Sequence, residues 1–115
     1  MLVDAFGDVP YTEALSAEGD SPNLAPKHDD AKAIYASLIE RAKTALSDLS
    51  GSGSGYTSDD LIFSGSIPAW KRFGNSILIK LGSRLMDQNP TVAKELIEGH
   101  YANAISANSD NANIK

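Results

Sequence analysis

Three stretches of the chain place apolar residues at helical spacing. Between Asp29 and Leu49, the residues Ile34, Leu38, Ala42, Ala45, Leu46 and Leu49 recur at steps of three and four, which predicts an amphipathic helix over about 29–49. Asp29 stands where an N-cap belongs, and the two aspartates at the start suit the helix dipole. The run "SGSGSG" from Ser50 to Gly55 stops this helix. A second helix is predicted over about 68–87. Here Trp70, Phe73, Gly74, Ile77, Leu78, Leu81 and Leu85 fall within an arc of about 140°. Lys71, Arg72, Asn75, Ser76 and Ser83 take the opposite face. Ser66 is its expected cap, and Pro68 fits its first turn. A third helix opens at "NPT", with Asn89 as cap and Pro90 in the first turn. Val92, Ala93, Leu96 and Ile97 form its stripe, and Gly99 is the expected stop, giving about 90–99.

The link between the second and third helices is short, so the two should pack as an antiparallel hairpin. Gly74 and Gly82 lie on or beside the apolar stripe of the second helix. Each costs about 1 kcal/mol relative to alanine there, and close approach of a neighbouring helix is a physical reason to keep them. The segment between the first and second helices is long for a compact bundle, but Leu61, Ile62 and Phe63 are too apolar to be left in water, so it should be ordered. Residues 1–28, 50–67 and 103–115 read as irregular. The expected organisation is a single partial domain over 1–115, all-α in class.

Composition narrows the functions available. The 115 residues carry a formal net charge of −5 and no cysteine. The acidic balance argues against nucleic acid as the main partner. The missing cysteine removes disulfides, thiolate nucleophiles and cysteine metal sites. No apolar run is long enough to span a membrane. The N-terminus has no basic region followed by an apolar stretch, so it does not read as a signal peptide.

Candidate chemistry is sparse. His28 and His100 stand apart, without H-x-x-x-H or H-E-x-x-H spacing. His28 beside Asp29 and Asp30 could form half a metal site, but a solvated histidine at a helix start accounts for it. His100 ends a helix, where a cation is favoured. The pairs Asp29–Asp30 and Asp59–Asp60 lack the positioned partner that general acid–base catalysis needs. There is no G-x-S-x-G elbow, and "GSGSG" lacks the Lys-Ser/Thr of a phosphate loop. "NSDNAN" lacks the glycine bend and closing glutamate of a calcium loop, so it reads as a turn. Trp70 lies on an apolar stripe and is expected in the core rather than stacked on a sugar. Arg84, at the edge of the same stripe, is expected to clamp onto Asp59 or Asp60. No catalytic, cofactor or metal residue is assigned, and no enzyme is indicated.

The order and spacing of "FGDVPYTEAL", "PKHDDAKAIYASLIERAKTAL" and "DLIFSGSIPAWKRFGNSILIKLGSRLMDQNP" closely resemble the SusD/RagB family, in particular its SusD-like branch. The matching elements are Gly7–Asp8–Pro10, Asp29 with Ile34–Tyr35, Asp60–Leu61–Ile62, and Trp70–Phe73–Asn75–Ser76 with Arg84. Gly74, Gly82 and Lys80 depart from residues common in the family. The resemblance implies tetratricopeptide-like helix pairs with long irregular loops. It also implies a lipid-anchored, glycan-binding protein on the outer-membrane surface that delivers oligosaccharides to a SusC-like TonB-dependent transporter. The family's lipidated cysteine and C-terminal portion are not in this chain, which therefore reads as an internal fragment of the helical scaffold. No residue is carried over as a sugar ligand. The rival reading is a free-standing helical module that binds a protein partner. Under either reading "FGDVPYTEAL" is a chain reversal anchored by Phe6, Tyr11 and Leu15.

Overall fold

The computed structural model describes residues 2–18, 22–49 and 57–114. The expected Ser-Gly stop at 50–55 lies outside them, as does Tyr56. The described residues are helical: α1 (Leu2–Phe6), α2 (Ala31–Asp48), α3 (Ile67–Arg84) and α4 (Pro90–His100), with short 3-10 turns at Tyr101–Asn103 and Asn108–Asp110. The all-α class expected from the sequence is what forms. The chain divides into two compact units, residues 1–38 and 39–115, with α2 contributing to each in turn.

The first unit is held by carboxylates. Gly7, at φ +70°, closes α1, and its N–H bonds the Val3 carbonyl at 3.0 Å. This left-handed geometry is cheap for glycine and costs other residues about 1–2 kcal/mol. Asp8 then reaches across to α2, where its Oδ1 accepts the Ala31 N–H at 2.9 Å. The Oδ1 of Asp30 accepts the Lys32 N–H at 2.7 Å. Together these satisfy two of the orphan donors that open a helix.

Asp29, the expected cap, does other work. Its backbone pairs with Val9 in an isolated antiparallel bridge. Its carboxylate accepts the Tyr11 N–H at 3.1 Å and the Thr12 N–H at 2.7 Å, as well as the Thr12 hydroxyl. The cap moves to Asp30 because the helix begins one residue later than Asp29 could serve. The Thr12 N–H, with further help from the Thr12 hydroxyl, the Tyr11 N–H and Lys27, holds the Asp29 carboxyl below its ordinary 3.8 against the opposing effect of burial.

The reversal at Phe6–Leu15 is thus tied by polar groups, not by the apolar anchors expected. Phe6 and Leu15 are 72% and 84% exposed. Tyr11 does anchor, but through its hydroxyl, 3.2 Å from Ser37 Oγ. Glu13 accepts from Asn23 Nδ2 and the Lys27 N–H, and the Tyr35 hydroxyl donates to Asp4. Among the described residues, Val3 and Ile34 are the buried apolar ones of this unit.

The second unit is built on the α3–α4 hairpin. Ser66 Oγ accepts from Ala69 N–H and Asn89 Oδ1 from Val92 N–H, each with a proline in the first turn that follows. The helices run antiparallel: Gly82 lies against Ala93, Leu96 and Ile97, and Asn75 lies against His100. Leu78, Leu81, Ala93 and Leu96 form the core. Two boundaries shift. α3 ends at Arg84, and residues 85–88 form a turn. Gly99 does not stop α4, which runs through His100 into the 3-10 turn at Tyr101–Asn103.

In the first half of α3 the polar face is not left to solvent. Asn75 is only 7% exposed. Its Nδ2 donates to the Lys71 carbonyl at 2.8 Å, which fixes the amide and leaves Oδ1 as acceptor. His100 Nδ1 lies 2.7 Å from that oxygen and is therefore the donor. Burial, with help from the Lys43 ammonium and against the Glu95 carboxylate, holds His100 below its ordinary 6.5. The surroundings thus favour the neutral ring over the helix-end cation expected. The sign of the consequence is definite. A depressed histidine contributes stability that is complete above 6.5 and is lost as pH falls through the folded value. The urea midpoint should fall on acidification from about pH 7.5 to about pH 5, and the fall should be smaller in His100→Gln. Equal slopes in the two proteins over that interval would exclude His100 as the cause.

Candidate functional site

The loop preceding α3 is organised around one side chain. Asp60 Oδ1 accepts the Ile62 and Phe63 N–H groups, each at 3.0 Å. Its Oδ2 accepts the Gly65 N–H at 2.8 Å and Trp70 Nε1–H at 2.7 Å. The Ser64 N–H returns to the Asp60 carbonyl at 3.1 Å. The tight path through Ser64 (φ 52°) and Gly65 (φ 77°) brings these donors together. The turn costs backbone strain at Ser64, which lacks glycine's freedom. The carboxylate recovers this by collecting N–H groups that the turn would otherwise leave unpaired.

The same bonds settle the chemistry of Asp60. Burial pushes its carboxyl up, but the Phe63 and Gly65 N–H groups, Trp70 Nε1–H and the Ile62 N–H more than offset this and hold it at about 2. A carboxylate that keeps its charge and has both oxygens engaged cannot hold a proton for general acid–base work near neutral pH. Its neighbour Asp59 is exposed and takes a bond from Ser58 Oγ.

Trp70, held by Asp60, packs edge-on against Phe63 (5.0 Å between centroids) and Phe73 (5.7 Å). It is half-buried rather than sunk in the core, and it forms a wall of an open groove of ≈ 710 Å³. Leu49, Leu61, Ile62, Ile67 and Ile114 supply the other apolar walls. Leu61, expected to be covered, is exposed there. A smaller depression of ≈ 190 Å³ continues along Trp70, Phe73 and Gly74 to the end of α2. The surface is one that packs against apolar groups, and the carboxylates of Asp59 and Asp60 are the ionisable groups among the described residues that line it.

The other sequence candidates do not converge. His28 is exposed. No group of three metal-ligating side chains occurs among the described residues, and no helix among them is long and apolar enough to cross a membrane. The expected Arg84 clamp does not form. Arg84 is exposed at the last turn of α3, whereas Asp60 is bound to Trp70 near the first. Fourteen helical residues separate those two positions, about 21 Å at 1.5 Å each. The Asp60–Trp70 bond was missed in the sequence, although an aspartate five residues before a glycine and ten before a tryptophan at a helix start was its available sign.

Comparison with known proteins gives these features a context. The family model of SusD-like proteins, described as starch-binding and associating with the outer membrane, matches residues 1–115. Among solved structures, a SusD homologue from Bacteroides uniformis is 25% identical with a TM-score of 0.81, the match covering 96% of this chain and 23% of that one. A chitin-binding protein is 29% identical with a TM-score of 0.77, again over 96% and 23%. A Bacteroidetes SusD-like protein is 30% identical with a TM-score of 0.74, over 99% of this chain and 20% of that one. The chain thus spans less than a quarter of the length of each. A search of curated proteins returns no match.

Proposed function

We propose, from the premise that this chain belongs to the SusD-like family of outer-membrane-associated, starch-binding proteins, that it forms helical scaffold of a glycan-binding protein at the cell surface. The observation that carries the proposal is the match of the family model along residues 1–115, onto a fold whose tetratricopeptide-like unit is the α3–α4 pair. The role is binding rather than catalysis. Asp60, a carboxylate held well below its ordinary range, is spent on positioning Trp70 and the loop before α3. The protein works with a TonB-dependent transporter in oligosaccharide uptake. The chitin-binding relative supports a glycan as ligand.

The genomic locus tests this. The reading frame that contains this chain is expected to encode a signal peptide with a lipidation cysteine and to lie beside a gene for a TonB-dependent transporter. A complete reading frame with neither feature would overturn the proposal.

A further inference from the structure

Arg72, Asn75 and Ser76 share one face of α3 by their spacing of three and four. Each holds the end of α4 or the segment that follows it. Asn75 binds His100. Ser76 Oγ accepts the Ile105 N–H at 3.0 Å while donating to the Arg72 carbonyl. Arg72 Nη2 pairs with Asp110 Oδ1 at 3.2 Å. Residues 101–110 therefore form a strap, fastened at its middle and end to the same helix face that binds the last residue of α4.

A second groove, ≈ 550 Å³, lies between strap and helix, within the size range of small-ligand sites. Lys71, Arg72 and Asn75 line it from α3, Asn103 and Ser106 from the strap, and Leu46 adds apolar surface. Among the described residues that line it none is acidic, in a chain with net charge −5. The Lys71 ammonium has no ion pair among the described residues. Arg72 is only partly satisfied, because its buried Nε has no hydrogen-bond partner.

We infer that this groove takes a carboxylate-bearing residue of an acidic oligosaccharide, with Lys71 as the carboxylate's partner. The amide and hydroxyl groups of Asn103 and Ser106 suit ring hydroxyls, and Leu46 suits the C–H face of a pyranose. An unpaired ammonium in a groove without acids favours an anionic sugar over a neutral one. The fastened strap presents these groups without an ordering cost on binding. The inference rests on the glycan-binding reading above. It adds a charge preference and a location.

The test is an amide NMR titration of the 115-residue chain with trigalacturonate, chitotriose and a hexa-aspartate peptide. Trigalacturonate should shift Asn103 and Ser106, more weakly as salt is raised. Lys71→Gln should weaken its binding about tenfold, and Ser106→Ala should weaken it less. Both variants should keep the parent spectrum elsewhere. Chitotriose should leave these residues unmoved. The inference fails if trigalacturonate shifts only other residues or none, if chitotriose shifts the groove equally, or if hexa-aspartate binds there more tightly. Glycan binding elsewhere on the chain would sink the groove while leaving the family-level reading intact. That reading stands or falls on the locus.

Discussion

Asp60→Ala should dismantle the loop before α3, and the loss should be visible through Trp70, the chain's single tryptophan. Removing the carboxylate strips acceptors from the Ile62, Phe63 and Gly65 N–H groups and from Trp70 Nε1 together. Unpaired donors in a half-buried turn have to be returned to water, and the turn must open to do it. Trp70 would then lose its edge contact with Phe63. The expected result is red-shifted tryptophan emission with a lowered urea midpoint. Trp70→Phe removes one donor and keeps the rest of the knot, so it should cost less than Asp60→Ala. Parent-like emission from Asp60→Ala would show that the loop does not depend on the carboxylate.

The pH dependence follows from the same bonds. The folded Asp60 titrates at about 2 against an ordinary 3.8, so over that interval the unfolded chain binds the proton more readily. Stability from Asp60 is complete above 3.8 and is lost as pH falls towards 2. Asp60→Asn should flatten the acid limb of the stability curve without abolishing it, because Asp29 is shifted in the same direction. The loss of stability from His100 begins below 6.5 and should be unaffected by the Asp60 change.

How legible these features were in the sequence depended on the range of the interactions behind them. Ser66 with Pro68 and Asn89 with Pro90 could be read directly, because a helix cap is made within three residues of itself. The amphipathic stripe of α3 gave the hairpin core at Leu78 and Leu81. α1 escaped notice because five residues are too few to display a 3.6-residue period. The strap was illegible for a different reason. The bonds that hold it and the end of α4 join positions 25 to 38 residues apart, as in Asn75–His100, Ser76–Ile105 and Arg72–Asp110. Each partner alone resembles a solvated polar residue. Asp29 and Asp30 show the finest limit: adjacent identical residues divide two jobs, and only the exact helix start decides which one caps.

The two interior glycines of α3 should respond to the same substitution with opposite signs. A Cβ at Gly82 would stand 3.0 Å from Leu96 Cβ, 3.1 Å from the Ala93 carbonyl oxygen and 3.3 Å from Ile97 Cγ1. Two of those neighbours belong to the backbone of α4 or are fixed directly to it, so relief requires the helices to move apart. Overpacking of this kind costs about 1–3 kcal/mol, while alanine returns about 1 kcal/mol of helix propensity. Gly82→Ala should therefore lose up to about 2 kcal/mol, and Gly82→Val, larger and β-branched, should lose more. At Gly74 the added Cβ would meet Leu46 Cδ1, at 3.1 Å. That atom is the free end of a flexible side chain, and a small rotation removes the contact. The propensity gain should then prevail, leaving Gly74→Ala neutral or more stable by up to about 1 kcal/mol. Urea denaturation of both variants under one set of conditions decides the matter. Destabilisation of equal size at both positions would mean that α2 crowds α3 as firmly as α4 does, and a stabilised Gly82→Ala would mean that the hairpin is looser than the contact distances require.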